Sequence, residues 1–184
     1  MSEKKVLFIV GSLRTGSFNR VLARQAAGFL EGRADVAFLD YADVPFFNQD
    51  IEFPPPGSVA RVREEVAAAD AVWIVSPEYN YNVPAQLKNT LDWLSRPVVL
   101  GDYTTPLPVS GKPAIISGAG GKMGVAGGRA AVRALLAKMG AELVGGDGEG
   151  FALTPEAWTT GVYEVPEADA ARLAAQAEAL LAAL

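Results

Sequence analysis

The sequence predicts an α/β domain built on a parallel sheet, and three observations lead there. Short apolar runs alternate with amphipathic stretches from one end of the chain to the other, the pattern of consecutive βα units. The first run, residues 5–10, is continuously apolar from Val6 on and does not alternate with polar residues, as expected of a strand covered on both faces. Three of the runs lead directly into segments rich in glycine, hydroxyls or proline, at residues 11–20, 77–84 and 117–122. In a parallel sheet these loops leave the same carboxyl edge, where open α/β sheets bind ligands at a topological switch point.

Five strands and about five helices are expected in order. Residues 5–10 form the first strand and residues 18–30 the first helix, followed by a strand over 35–41. Pro45, Phe46, Phe47 and the run Pro54-Pro55-Pro56-Gly57 then mark an irregular surface connection. Ser58 is placed to cap a helix that runs to about Ala69, ahead of a buried strand over 71–75. Residues 84–94 form a helix with Pro84 near its first turn, where a missing N–H costs nothing, and with Leu87, Leu91 and Leu94 as its buried stripe. Pro97, Gly101, Pro106, Pro108 and Gly111 make residues 96–111 a long loop, placed either to cover a site or to meet a partner subunit. A strand over 112–117 leads to a helix over 127–139 that Gly140 stops, then to a weak fifth strand over 142–145. The Ala- and Leu-rich residues 169–184 form a terminal helix on the sheet. No internal repeat or boundary between two cores is evident, so residues 1–184 are expected to be a single domain.

Composition narrows the chemistry. At 184 residues folding buries roughly 70% of the surface of the unfolded chain, enough for a core without staples. There is no Cys, which excludes disulfides, thiol nucleophiles and thiolate metal sites, and no His, the commonest metal ligand and general base. Catalysis must therefore lean on a bound cofactor. A net charge of −5 argues against a broad surface for nucleic acid or anionic membrane. The apolar run 6–10 is too short for a signal peptide or a membrane span, so a cytoplasmic protein is expected.

The first loop, Gly11-Ser12-Leu13-Arg14-Thr15-Gly16-Ser17-Phe18-Asn19-Arg20, suits a terminal phosphate. Ser12, Arg14, Ser17 and Asn19 offer hydroxyl, guanidinium and amide donors, and the free amides of the following helix point the same way. The alternative is a plain turn, with Ser17 as an ordinary cap and Arg14 in solvent. The loop has neither the G-x-G-x-x-G of dinucleotide folds nor the G-x-x-x-x-G-K-[ST] of phosphate-loop NTPases, which favours a mononucleotide. A low-molecular-weight phosphatase would need a Cys here. The glycine-rich third loop allows backbone to approach a flat ring, or is simply a flexible connection. Asp147 and Glu149 sit among glycines as solvated turn residues do, and Trp73 belongs in the core.

Pro77-Glu78-Tyr79-Asn80-Tyr81-Asn82-Val83-Pro84, running into Leu87-Lys88-Asn89-Thr90-Leu91-Asp92-Trp93, makes a specific resemblance. Together with Gly11 to Asn19 and the loop from Ser117 to Gly128, the chain resembles the NADPH-dependent FMN reductase family over residues 5 to about 144. The resemblance implies a flavodoxin-like three-layer sandwich with a five-stranded parallel sheet in the order 2-1-3-4-5. It implies that Ser12, Arg14, Ser17, Phe18 and Asn19 surround the phosphate of FMN. Pro77, Glu78, Tyr79 and Asn80 would lie along the isoalloxazine edge, with Ser117, Gly118 and Gly120 as further contacts. It also implies NADPH or NADH as co-substrate, a small acceptor such as a quinone, free flavin, azo compound or chromate, and a homodimer or homotetramer. A flavodoxin-type electron carrier and a flavin-binding module without turnover are the alternatives. After Val144 the chain departs from the family, notably at Gly145 to Gly150 and at Trp158.

Overall fold

The structure is a computed structural model that describes residues 4–184. Its sheet has the order β2-β1-β3-β4-β5, with a sixth strand also paired to β4, and every pairing is parallel. The strands are β1 (Lys5–Val10), β2 (Asp35–Phe38), β3 (Ala71–Val75), β4 (Pro113–Gly120), β5 (Glu142–Leu143) and β6 (Glu149–Ala152). The helices are α1 (Phe18–Gly28), α2 (Gly57–Ala68), α3 (Ala85–Leu94), α4 (Ala126–Lys138), α5 (Pro155–Thr160) and α6 (Glu167–Leu181).

Alternating residues of the buried strands point to opposite faces, and each face meets its own layer of helices. Leu7, Ile9, Val72, Ile74, Ala114 and Ile116 pack with Val62, Leu87, Leu91 and Leu136 of α2, α3 and α4. Val6, Phe8, Trp73, Val75 and Ile115 pack with Leu22, Ala26, Leu173 and Leu180 of α1 and α6. This is the flavodoxin-like sandwich. Among the described residues no helix is long and apolar enough to cross a membrane.

Several expectations are corrected. The chain leaves β2 after Phe38 rather than at residue 41, because Tyr41 turns inward and donates its hydroxyl to the Val10 carbonyl at 2.6 Å. Ser58 does not cap α2, which already begins at Gly57 after Pro56, where no side chain accepts a first-turn amide. The expected single fifth strand is two short pieces. β5 pairs with the start of β4 and β6 with its end, so β4 runs on to Gly120. Between them Gly145, Gly146 and Gly148 have positive φ and carry the chain out of the sheet. Arg129 of α4 holds this bulge by donating to the Asp147 and Gly148 carbonyls at 2.8 and 2.6 Å, and Arg133 donates to Gly146 O at 2.8 Å. Asp147 and Glu149 face Arg133 and Arg172. Helix α5 was not expected.

Candidate functional site

At the carboxyl edge, the loops after β1, β3 and β4 surround a cavity of about 560 Å³. The β1 loop turns tightly because the Ser17 N–H donates to Arg14 O at 3.1 Å, and Ser17 Oγ accepts weakly from Arg20 N at 3.4 Å as the cap of α1. Among the described residues the amides of Phe18 and Asn19 have no acceptor, as expected of a helix start that faces a ligand. Ser12, Arg14, Ser17, Phe18 and Asn19 all line the cavity, and the Arg14 guanidinium lies 4.8 Å from the centre of the Phe18 ring.

Asn19 has a different task from the one expected. Its Nδ2 donates to Ala119 O at 2.9 Å and its Oδ1 accepts from Ala119 N at 2.8 Å. Both ends of the side-chain amide are committed to the backbone of Ala119 in β4, so Asn19 ties the start of α1 to the end of β4.

Pro77, Glu78 and Tyr79 line the opposite side. Tyr79 and Asn82 exchange backbone hydrogen bonds at 3.0 and 3.1 Å, with Asn80 and Tyr81 between them at φ 52° and 62°. Two consecutive left-handed residues make the tight turn that Asn-Gly pairs usually provide, and Tyr81 holds that conformation at a cost of about 1–2 kcal/mol. Asn80 therefore sits exposed at the corner, outside the cavity lining. The Glu78 carboxylate accepts from Gly128 N at 2.7 Å, which fastens the second loop to the first turn of α4.

Of the β4 candidates, Gly120 lines the cavity and the other two do not. Ser117 is fully buried; its Oγ accepts from Trp73 Nε1 at 2.9 Å and donates to Gln176 Oε1 at 2.6 Å, tying β3, β4 and α6 together inside the core. Gly118 is a glycine because a Cβ there would fall inside contact distance of Ser76 O and of Val125. Neither needs a ligand to explain it.

Sequence reasoning missed a whole wall. Leu153, Trp158 and Gly161 line the cavity, together with Ala119 and Gly121. Trp158 stands edge-on to Phe18 at 5.8 Å, as does the buried Tyr163 at 6.0 Å, and burial pushes the Tyr163 phenol up to about 12. The local signals were present: Thr154 accepts from Ala157 N at 3.2 Å as a cap, Pro155 follows at the first helical position, and Gly161 ends α5 at φ 74°.

A crevice with anion donors at one end and an aromatic, backbone-rich turn at the other fits a group that carries a phosphate and a flat ring. Fold and crevice together define a flavodoxin-like α/β protein built for a mononucleotide. More narrowly, the chain belongs to the NADPH-dependent FMN reductase family, which matches residues 4–149. It is 42% identical over 126 residues to an NAD(P)H-dependent FMN reductase of Pseudomonas aeruginosa, covering 66% of this chain and 63% of that protein. It is also 42% identical over 132 residues to a quinone reductase of Escherichia coli, covering 70% and 65%. The match thus spans less than two thirds of the length of either relative. Among solved structures, FerB, a flavoenzyme NAD(P)H:(acceptor) oxidoreductase of Paracoccus denitrificans, matches with a TM-score of 0.83 at 30% identity over 97% of this chain and 96% of that one. The family match stops short of α5, so the Trp158 wall lies beyond it.

Proposed function

We propose that the protein is an FMN-dependent NAD(P)H oxidoreductase that passes electrons to a small acceptor such as a quinone, a free flavin, an azo compound or chromate, by a ping-pong mechanism. The observation that carries this is the crevice in which the Ser12–Arg14–Ser17 donor set faces Pro77, Glu78 and Tyr79. The names of the relatives support the donor and the quinone-type acceptor.

Ser12, Arg14, Ser17 and the open amides of Phe18 and Asn19 hold the FMN phosphate. Pro77 and Tyr79 flank the ring, Gly120 lets backbone come close to it, and Glu78 and Asn19 keep the three loops in register. Leu153 and Trp158 cover the side that would otherwise be open to water. Bound there, FMN supplies the capacity to take a hydride equivalent from NAD(P)H and release electrons to the acceptor. With no His and no Cys in the chain, the side chains bind and orient. Donor and acceptor occupy the same crevice in turn. The working form is a homodimer or homotetramer, which sedimentation equilibrium will measure.

Anaerobic addition of NADPH to the FMN-loaded protein is expected to bleach the flavin absorbance, and later addition of a quinone to restore it. Double-reciprocal plots should be parallel. Intersecting plots with a demonstrated complex holding both substrates would remove the ping-pong scheme, and no bleaching with either dinucleotide would point to an electron carrier.

A further inference from the structure

Beside the crevice lies positive charge that the protein does not neutralise. Arg20 and Arg24, one turn apart on α1, line a second cleft of about 260 Å³ that shares Ser17, Phe18 and Gly161 with the main crevice, so the two adjoin across that wall. Arg24 also borders a shallow depression further along α1, with Val21, Gln25 and Gly28. No carboxylate lines either hollow.

The chain carries 21 acidic and 16 basic residues, so partners for arginine are plentiful. Arg33, Arg61, Arg96, Arg133 and Arg172 each sit against a carboxylate, while Arg63 and Arg129 donate to backbone carbonyls. Among the described residues, Arg20 and Arg24 have neither kind of partner. The position of Arg20 is also unfavourable by itself. It lies in the first turn of α1, where the helix dipole repels cations, and that turn contains no acidic residue. Two unpaired guanidinium groups beside a cleft, one of them placed against the helix dipole, make sense when a polyanion enters it.

We infer that this cleft takes the adenosine end of the reduced dinucleotide and that Arg20 and Arg24 clamp the 2′-phosphate, so that the protein selects NADPH over NADH. This rests on the reductase reading above. The 2′-phosphate is a dianion with three acceptor oxygens, which suits two guanidinium forks, whereas the 2′-hydroxyl of NADH offers them little. The nicotinamide end lies in the main crevice near Tyr79, and the tail crosses the wall that Phe18 and Gly161 share between the two hollows.

The test is calorimetric titration of the FMN-loaded protein with adenosine 2′,5′-bisphosphate, with adenosine 5′-monophosphate and inorganic phosphate as comparison probes, alongside steady-state kinetics with both dinucleotides. The bisphosphate is expected to bind, to compete with NADPH, and to bind at least tenfold more tightly than either comparison probe. In the double variant Arg20→Ala/Arg24→Ala its affinity and the NADPH-to-NADH ratio of kcat/KM should each fall by about tenfold or more, with bound FMN retained. The Arg20→Lys/Arg24→Lys variant should recover part of both. Equal binding of the mono- and bisphosphate, an unchanged ratio, or loss of FMN in the double variant would overturn the assignment. If the parent protein oxidises neither dinucleotide the reductase reading falls, and the calorimetric arm still decides whether the cleft binds the 2′-phosphate.

Discussion

Asn19, Arg14 and Gly118 lie close together and illustrate three ways a residue can belong to a site. Asn19 spends both ends of its amide on the backbone N–H and C=O of Ala119 and so positions a loop. Arg14 is exposed, rests on Phe18 and is free to meet a phosphate. Replacing Arg14 by Ala is expected to weaken FMN binding about ten- to a hundredfold, since a hydrogen bond to a charged group contributes about 1.5–3 kcal/mol. Fluorescence quenching of FMN in the two proteins measures this, and equal affinities would take Arg14 out of the site. Gly118 acts through packing: Val125, held at φ 53° although β-branched, presses onto Gly118 and Gly120, and Ser76 O closes the space from the other side. A Gly118→Ala change therefore pushes β4 away from β3, and we expect a loss of about 3 kcal/mol, the upper end for overpacking. Urea unfolding checks it. A stability equal to the parent would mean the contact with Ser76 relaxes freely.

Helix α5 shows how one element outside the matched family stretch can complete a site. Thr154, Pro155 and Gly161 define its two ends, and its face presents Trp158, 58% exposed, to the cavity and to the edge of Phe18. An edge-to-face aromatic pair contributes about 0.5–1.5 kcal/mol. Trp158→Ala is thus expected to weaken FMN binding or raise KM for the acceptor about two- to tenfold. Because the side chain is largely exposed, the urea midpoint should barely move. A large fall in stability with no change in either binding constant would show that Trp158 serves the fold instead. The split of the last strand into β5 and β6 has a comparable cause. Three glycines at positive φ let the chain leave the sheet, and Arg129 and Arg133 replace the missing strand hydrogen bonds at the bulge.

Across the whole molecule, the two edges of the sheet are held by different contacts. The carboxyl edge carries the crevice. At the amino edge Asp70 accepts from Lys5 N at 2.8 Å and from Lys4 Nζ at 3.0 Å, joining the starts of β1 and β3. The Lys5 amide foremost, then the Lys4 ammonium, hold the Asp70 carboxyl below the usual carboxylate range. A carboxylate whose pKa is lowered on folding stabilises the protein above its unfolded value and loses that contribution as pH falls through the folded one. Asp70→Asn should therefore lower the urea midpoint near neutral pH, and the gap to the parent should close in acid. FMN affinity should be unaffected. A gap of constant size across the titration would mean that charge at Asp70 contributes nothing.

What the sequence determined by itself was whatever is encoded in near neighbours. The two-face burial of β1 and β3, the parallel alternation and the loops after β1 and β3 depend on runs and turns a few residues long, and residues 5–10 and 71–75 are strands as expected. Tertiary structure decided what depends on residues far apart. Asn19 meets Ala119 across 100 positions, and Ser117 meets Gln176 across 59. Both were expected at the ligand, because a polar side chain in a glycine-rich loop has the same local pattern whether it faces a phosphate or a distant peptide. Trp158 carries no local sign of a site for the converse reason: an exposed aromatic on a six-residue helix gains meaning only when folding brings it beside Phe18.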